Sequence, residues 1–326
     1  MTHRPARSPR RRTAVVSAVC LGAALIGVAA PASALDRGAP SASADSSLVS
    51  VTVPAGQASA AVAYWTPERR AAATAGDGSD ASPAGPDVAA SDAAAPAAVT
   101  PDATGTGGHA VQVATVPHMG RIYYVQEGFG HYCSANVVAS ANGSTISTAG
   151  HCTTMHQVFS TDMVFYPQYE SGGSVYGAWP IVGGNVTTGW YQGNDADQAE
   201  DTAFMAVARD SDGETVASVV GASPVLFDQP AAQLVSAFGY PAVGRFDGEH
   251  LDRCTDPGTA QGTAQIVLAC DMTGGVSGGP ILLGDGSDGA QFANVAERDD
   301  SGTHNIGPLW QASAHSAYDL TAAIAT

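Results

Sequence analysis

The chain has 326 residues with 30 acidic and 13 basic side chains, and a formal net charge of −17. A surface of that sign repels nucleic acid and anionic membranes, so neither is an expected partner. Hydrophobic residues make up 44% of the chain, enough for a sizeable core.

The basic start "MTHRPARSPRRR" precedes the apolar run "AVVSAVCLGAALIGVAA", which ends near Ala32-Ser33-Ala34. A charged head, a short apolar run and small residues at the end read as a secretory signal peptide over 1–34. The run is short for a membrane span. Cys20 lies inside it and leaves with the signal, and a secreted, extracellular protein is expected.

Residues 35–108 are rich in Ala, Ser, Asp, Gly and Pro, without helical or strand period. Most of this stretch has too few bulky apolar residues to offset its ordering entropy, which fits a low-complexity pro-segment or linker. One part, "LVSVTVPAGQASAAVAYWTPERR", is more apolar and reads as a small pro-region able to contact a domain.

From 109 to 326 the texture changes to short apolar runs separated by Gly, Asn and Asp. This part holds 5 Arg and 22 acidic residues. Runs such as "RIYYVQ", "CSANVVAS", "STISTAG", "DMVFYP", "TAFMAVA", "QLVSAFGY", "AQIVLAC" and "GPILL" are strand-like and bounded by turn residues. No βαβ alternation appears, so an all-β sandwich or barrel is expected rather than a doubly wound sheet. The tail "SAYDLTAAIAT" is the exception. Ser316 and Asp319 have capping-box spacing, and Ala317, Leu320 and Ile324 share one helical face, which predicts a C-terminal helix over about 316–325.

Four cysteines follow the leader: Cys133, Cys152, Cys254 and Cys270. In an exported chain they imply two disulfides with three possible connectivities. The sequential pairing closes two loops of similar size. His131, Cys133, His151, Cys152 and His156 fall close together, but their spacing fits no common zinc pattern, and no metal is expected. "GDGSDG" at 284–289 lacks the ligand spacing of a calcium loop and reads as a hairpin turn.

Three stretches carry chemistry. "STAGHC" places His151 after an apolar strand, "EDTAFMAV" places Asp201 just before one, and "GGVSGGP" places Ser277 among glycines. A serine hydroxyl needs a base within hydrogen-bond reach, and imidazole oriented by a buried carboxylate is suited to that task. Glycines around the serine allow backbone N–H groups to face a developing oxyanion. Taken singly each stretch has a structural alternative; their joint occurrence, in the order His, Asp, Ser, points to nucleophilic catalysis.

"TAGHC", Asp201 before an apolar strand, and "SGGP" together resemble the active-site segments of the chymotrypsin-like (trypsin-fold) serine peptidases. The resemblance runs from about Val116 to the C-terminal helix and looks nearest to the secreted bacterial branch that includes glutamyl endopeptidases. It implies two six-stranded antiparallel β-barrels, about 116–207 and 215–312, with the site between them. It also implies His151 as general base, Asp201 as its orienter, Ser277 as nucleophile, and the N–H groups of Gly275 and Ser277 as oxyanion hole. Cys133–Cys152 matches the family disulfide beside the histidine, leaving Cys254–Cys270 as the second pair. Polypeptide substrates, a monomer and no cofactor are implied.

Where trypsin-like members carry an aspartate before the nucleophile, this chain has Val276, so an ion pair made by zymogen cleavage cannot order the oxyanion loop. "IVGG" at 181–184 follows His151 and reads as strand and turn. No basic residue lies between Arg70 and Arg121, and no Glu between Glu68 and Glu127, which limits where a specific protease can remove the pro-segment. Asp271, six residues before Ser277, stands where trypsin-like members bind basic side chains. It is a possible S1-pocket residue, without an assigned P1 preference. His304 reads as a loop residue. Two rivals remain: an α/β-hydrolase built on the G-x-S-x-G at 275–279, and a catalytically silent binding protein of the peptidase fold.

Overall fold

The computed structural model describes residues 41–45, 48–76 and 108–326. The signal peptide read over 1–34 and residues 77–107 of the low-complexity stretch lie outside the described residues.

Ahead of residue 77, strand β1 (Ser41–Asp45) pairs with β2 (Leu48–Thr52), followed by helices α1 (Ala55–Tyr64) and α2 (Pro67–Ala71) and by β3 (Thr74–Ala75). Val49, Val51, Ala58, Ala61 and Trp65 are buried. After residue 107, β4 (Val111–Gln112) leads into the first barrel.

That barrel comprises β5 (Met119–Gln126), β6 (Phe129–Val138), β7 (Thr145–Thr148), β8 (Thr161–Pro167), β9 (Trp179–Val186) and β10 (Ala203–Val207). Its order is β9-β8-β5-β6-β7-β10, and antiparallel pairing of β9 with β10 closes it. Alternation along β5 explains why its residues are buried on both faces. Ile122 and Tyr124 point into the barrel, where they pack with Val137, Ile146, Phe165 and Met205. Met119 and Tyr123 face the seam against Trp65, Phe238, Tyr240 and Leu282.

The second barrel is built from β11 (Leu234–Gly239), β12 (Asp252–Pro257), β13 (Thr259–Gln261), β14 (Gln265–Ala269), β15 (Pro280–Leu283), β16 (Gln291–Asn294) and β17 (His304–Pro308). β12 and β13 form one strand bent at Gly258. A Cβ there would come 2.7 Å from the Ala231 carbonyl oxygen, so the corner requires glycine. The bend divides the pairing into two sheets, β16-β15-β11-β12-β4 and β13-β14-β17, the latter with the short strand Glu297–Arg298 paired to β17. An antiparallel bridge between Ala293 and Leu309 joins the two sheets. Residues 284–289 connect the paired strands β15 and β16, as expected of a hairpin turn.

The last helix, α3, spans Ala312–Ala322 rather than 316–325. Ser316 is not its cap: it sits inside the helix and its Oγ donates to the Ala312 carbonyl at 2.9 Å. Its buried residues are Ala314, Ala317, Thr321 and Ala322; of the apolar triple read from sequence only Ala317 is among them, while Leu320 and Ile324 are half-buried. Small residues let the helix approach closely, and polar contacts fix it. Thr321 Oγ1 donates to the Phe204 carbonyl at 3.1 Å and accepts from Asn185 Nδ2 at 2.8 Å.

His304 opens strand β17 and is not a loop residue; its Nδ1 lies 3.2 Å from Asp299 Oδ2. Antiparallel barrels replace the parallel sheet that an α/β-hydrolase elbow requires, so that rival reading fails on the fold.

Candidate active site

His151 occupies a single 3₁₀ turn, Gly150–Cys152, that follows β7. Asp201 ends a second such turn directly before β10, and is fully buried. Pairing of β7 with β10 brings the two together, with Ala203 opposite Thr148. Asp201 then accepts twice from the same residue. Its Oδ1 takes the His151 backbone N–H at 2.8 Å, and its Oδ2 lies 2.6 Å from His151 Nδ1. A carboxylate can only accept, so Nδ1 carries the shared proton and Nε2 is the basic ring nitrogen. Gly150 leaves room for this arrangement, since a Cβ there would sit 2.9 Å from Asp201 Oδ1.

Two groups reinforce the pair. Gln126 Nε2 donates to the His151 carbonyl at 2.8 Å, and the ring of Trp190 stands edge-on to the imidazole, 6.2 Å between centroids. Asn294, from β16 of the other barrel, donates to the Asp201 carbonyl at 3.0 Å, while its Oδ1 accepts from Thr202 Oγ1 and Trp310 Nε1. Sequence reading did not single out Asn294. Its place inside an apolar-looking run gave no signal beyond one polar residue among buried neighbours.

Ser277 lies in the turn between β14 and β15 and is buried. Gly275 and Gly278 have φ of +99° and +77°, a region that L side chains rarely adopt. Space is equally restrictive. A Cβ on Gly278 would overlap Thr148 Oγ1 and come 2.7 Å from the Ala149 amide, so the serine turn lies directly against the segment leading to His151. Ser134 on β6 ties the turn down. Its Oγ donates to the Gly275 carbonyl at 2.8 Å and accepts from Tyr240 N–H at 2.9 Å, and its own N–H donates to the Ser277 carbonyl at 2.8 Å. Val276 is packed in the second core, against Gly239. Packing and backbone bonds therefore hold this loop without an ion pair.

The Cys133–Cys152 and Cys254–Cys270 disulfides are both formed. The first joins β6 to the turn that carries His151. It also consumes the thiols of the only cysteine-histidine grouping among the described residues, Cys133, His151 and Cys152, so those sulfurs cannot serve as thiolate ligands. Of the other residues weighed for zinc, His131 meets Thr74 Oγ1 at 2.9 Å and His156 pairs with Asp195 at 3.4 Å.

Asp271 is engaged by other groups. Its Oδ1 accepts the Ala110 N–H at 2.8 Å and a bond from Arg245 at 2.9 Å, and its Oδ2 lies 3.0 Å from His109 Nδ1. These contacts hold the carboxyl below its ordinary range, although partial burial opposes them. Asp252, nearby, behaves in the opposite way. Burial pushes its carboxyl up to about 7, with Arg245 pulling down and Asp247 and Asp271 adding repulsion.

No protein-family model matches the chain, and no curated protein matches it. Solved structures do. Protease Anisep from Arthrobacter nicotinovorans is 33% identical with a TM-score of 0.63, the match covering 66% of this chain and all of Anisep. The thermostable serine protease AL20, from an extremophilic microorganism, is 36% identical with a TM-score of 0.59, over 63% of this chain and 97% of its own. A Glu endopeptidase shares the fold at 19% identity and a TM-score of 0.54.

Proposed function

Since this chain belongs to the chymotrypsin-like serine proteases of bacteria, we propose that it is a secreted endopeptidase working through an acyl-enzyme on Ser277. The protein is a serine protease acting on polypeptides; the residue roles are our assignment. The observation that carries them is the two-point grip of buried Asp201 on His151, with the serine turn packed against the strand end that presents that histidine.

Ser277 Oγ attacks the scissile carbonyl carbon, and His151 Nε2 takes its proton. Asp201 fixes the imidazole tautomer and stabilises the imidazolium that forms. Negative charge on the carbonyl oxygen is met by the N–H groups of Gly275 and Ser277. The imidazolium then protonates the leaving amine as the C–N bond breaks. Water, deprotonated by His151, releases the acid product and restores Ser277. No cofactor enters this cycle.

Export is supported by the leader-like first 34 residues and the two disulfides. Among the described residues no helix is long and apolar enough to cross a membrane. We assign Asp271 to anchoring the His109–Ala110 stretch, since its oxygens already hold an arginine and a backbone N–H, and we assign it no selection of basic P1 side chains.

The test is turnover of a peptide library by purified variants. Ser277→Ala or His151→Ala should lower kcat by about 10⁴-fold or more, and Asp201→Asn by about 10⁴-fold. Unchanged turnover in folded Ser277→Ala contradicts the assignment.

A further inference from the structure

The segment Leu48–Gly76 ends in the candidate active site. β3 runs parallel to β6, with Thr74 opposite His131 and Ala75 opposite Tyr132. Gly76 N–H then donates to the Tyr132 carbonyl at 2.7 Å, and the Gly76 carbonyl accepts from the Gly275 N–H at 3.2 Å. Gly275 N–H is one of the two donors assigned to the oxyanion. We propose that Leu48–Gly76 is a built-in inhibitor of this protease, seated on the first barrel and closing the oxyanion hole with the carbonyl of Gly76. The proposal rests on the triad reading above and names the regulation of that same site.

Four further observations show that the seat is specific. Strand β2 adds to the second half of β9, beyond Trp179 and Pro180 where β9 pairs with β8; Val49 pairs with Val186 and Thr52 with Gly183, and Val51 is almost fully buried. Trp65 is the anchor. Its Nε1 donates to the Asp162 carbonyl at 2.6 Å, its ring lies 5.2 Å from that of Tyr123, and a Cβ on Gly130 would come 2.9 Å from it. Arg70 locks the turn that follows, donating to the Trp65 carbonyl at 2.6 Å and to Gly172 at 3.0 Å. At the tip, Gly76 is buried, and a Cβ on it would overlap the Tyr124 hydroxyl and sit 2.9 Å from Cys133 Sγ. Only a glycine can bring its carbonyl to this place.

A backbone N–H committed to one acceptor is not available to another, so the docked segment removes a donor that the transition state requires. The tether matters as well. While residues 77–107 link the segment to the domain, its effective concentration is on the order of millimolar. Cleavage within that Ala-, Asp- and Pro-rich stretch turns docking into a bimolecular equilibrium, which dilution drives toward release. Inhibition is thus relieved by a cut outside the segment, without any new N-terminal ion pair, in keeping with Val276.

The experiment compares fluorophosphonate labelling rates of Ser277 in the full chain and in two full-chain variants, Gly76→Leu and Trp65→Ala. The first displaces the tip and the second removes the anchor. Disulfide content and a cooperative melt establish that each is folded, and either variant alone suffices for the comparison. The expected result is at least a tenfold faster labelling rate in the variants, because the open fraction sets the apparent reactivity. Equal rates in the unaltered chain and a folded variant overturn the inhibitor while leaving the triad reading intact. A folded protein whose Ser277 takes up no probe in any of the three chains overturns the triad reading, and the inhibitor with it.

Discussion

At the scale of residues, the site depends on polar groups whose positions are fixed by more than one bond. His151 is held through its backbone, its ring and its carbonyl, and Ser134 bridges the serine turn to Tyr240. The meeting of His151 with Asp201 was foreshadowed by their places at two strand ends, Asp201 standing directly before its strand where Asp195 and Asp197 do not. The contacts of Ser134 and Asn294 were not, because a single serine or asparagine inside a strand gives no sign of which loop it will meet. For Asp271 the spacing from Ser277 was readable, whereas its partners Arg245, His109 and Ala110 are distant in sequence and were not. Asp252 supplies a pH test. Its folded pKa of about 7 lies above the unfolded value, so the folded state binds the proton more tightly. Stability therefore falls as pH rises from about 4 to about 7 and stays lowered above that. Asp252→Asn should raise stability at pH 8 by on the order of 2–4 kcal/mol and leave it nearly unchanged at pH 4, as denaturant titrations at the two pH values will show. Equal effects at both would contradict the burial argument.

At the scale of elements, short apolar runs bounded by turn residues located most strands of the first barrel, and in the structure alternation along β5 puts Ile122 and Tyr124 on one face and Met119 and Tyr123 on the other. Strand β12, "DRCTDP", was missed: two aspartates, an arginine and a proline conceal an alternation in which only Asp252 and Cys254 are buried. β17 was missed for a related reason, since His304 follows a turn-rich stretch and Gly307 is needed where the Asn294 carbonyl approaches. The helix boundary slipped by four residues because Ser316 and Asp319 imitate a cap while the helix begins at Ala312 without a side-chain cap. The disulfides act at this scale. Cys254–Cys270 ties β12 to the end of β14, and Cys133–Cys152 ties β6 to the histidine turn. Replacing either pair by alanine should cost about 3 kcal/mol of stability. Losing Cys133–Cys152 should also lower kcat, whereas losing Cys254–Cys270 should leave kcat near that of the parent. Calorimetry and steady-state kinetics on the two double variants separate these effects, and equal kcat losses would contradict the assignment.

At the scale of the whole molecule, two barrels supply different parts of the proposed site. The first gives His151 and Asp201, the second gives the Ser277 turn, and Asn294 joins them by reaching across to the Asp201 carbonyl. The all-β class was readable from short runs and the lack of helical period. The seating of Leu48–Gly76 was only partly so: its apolar content showed that it can touch a domain, but strand addition to β9 and the approach of Gly76 to Gly275 arise from pairing across more than a hundred residues. The central claim is that Ser277 is a nucleophile activated by His151. Exhaustive fluorophosphonate treatment of the folded protein, as the full chain and in any processed form it yields, followed by peptide mass mapping, tests it most directly. The account predicts one adduct, on Ser277, that disappears in His151→Ala; an adduct elsewhere, or one on Ser277 that forms just as fast without His151, would contradict it.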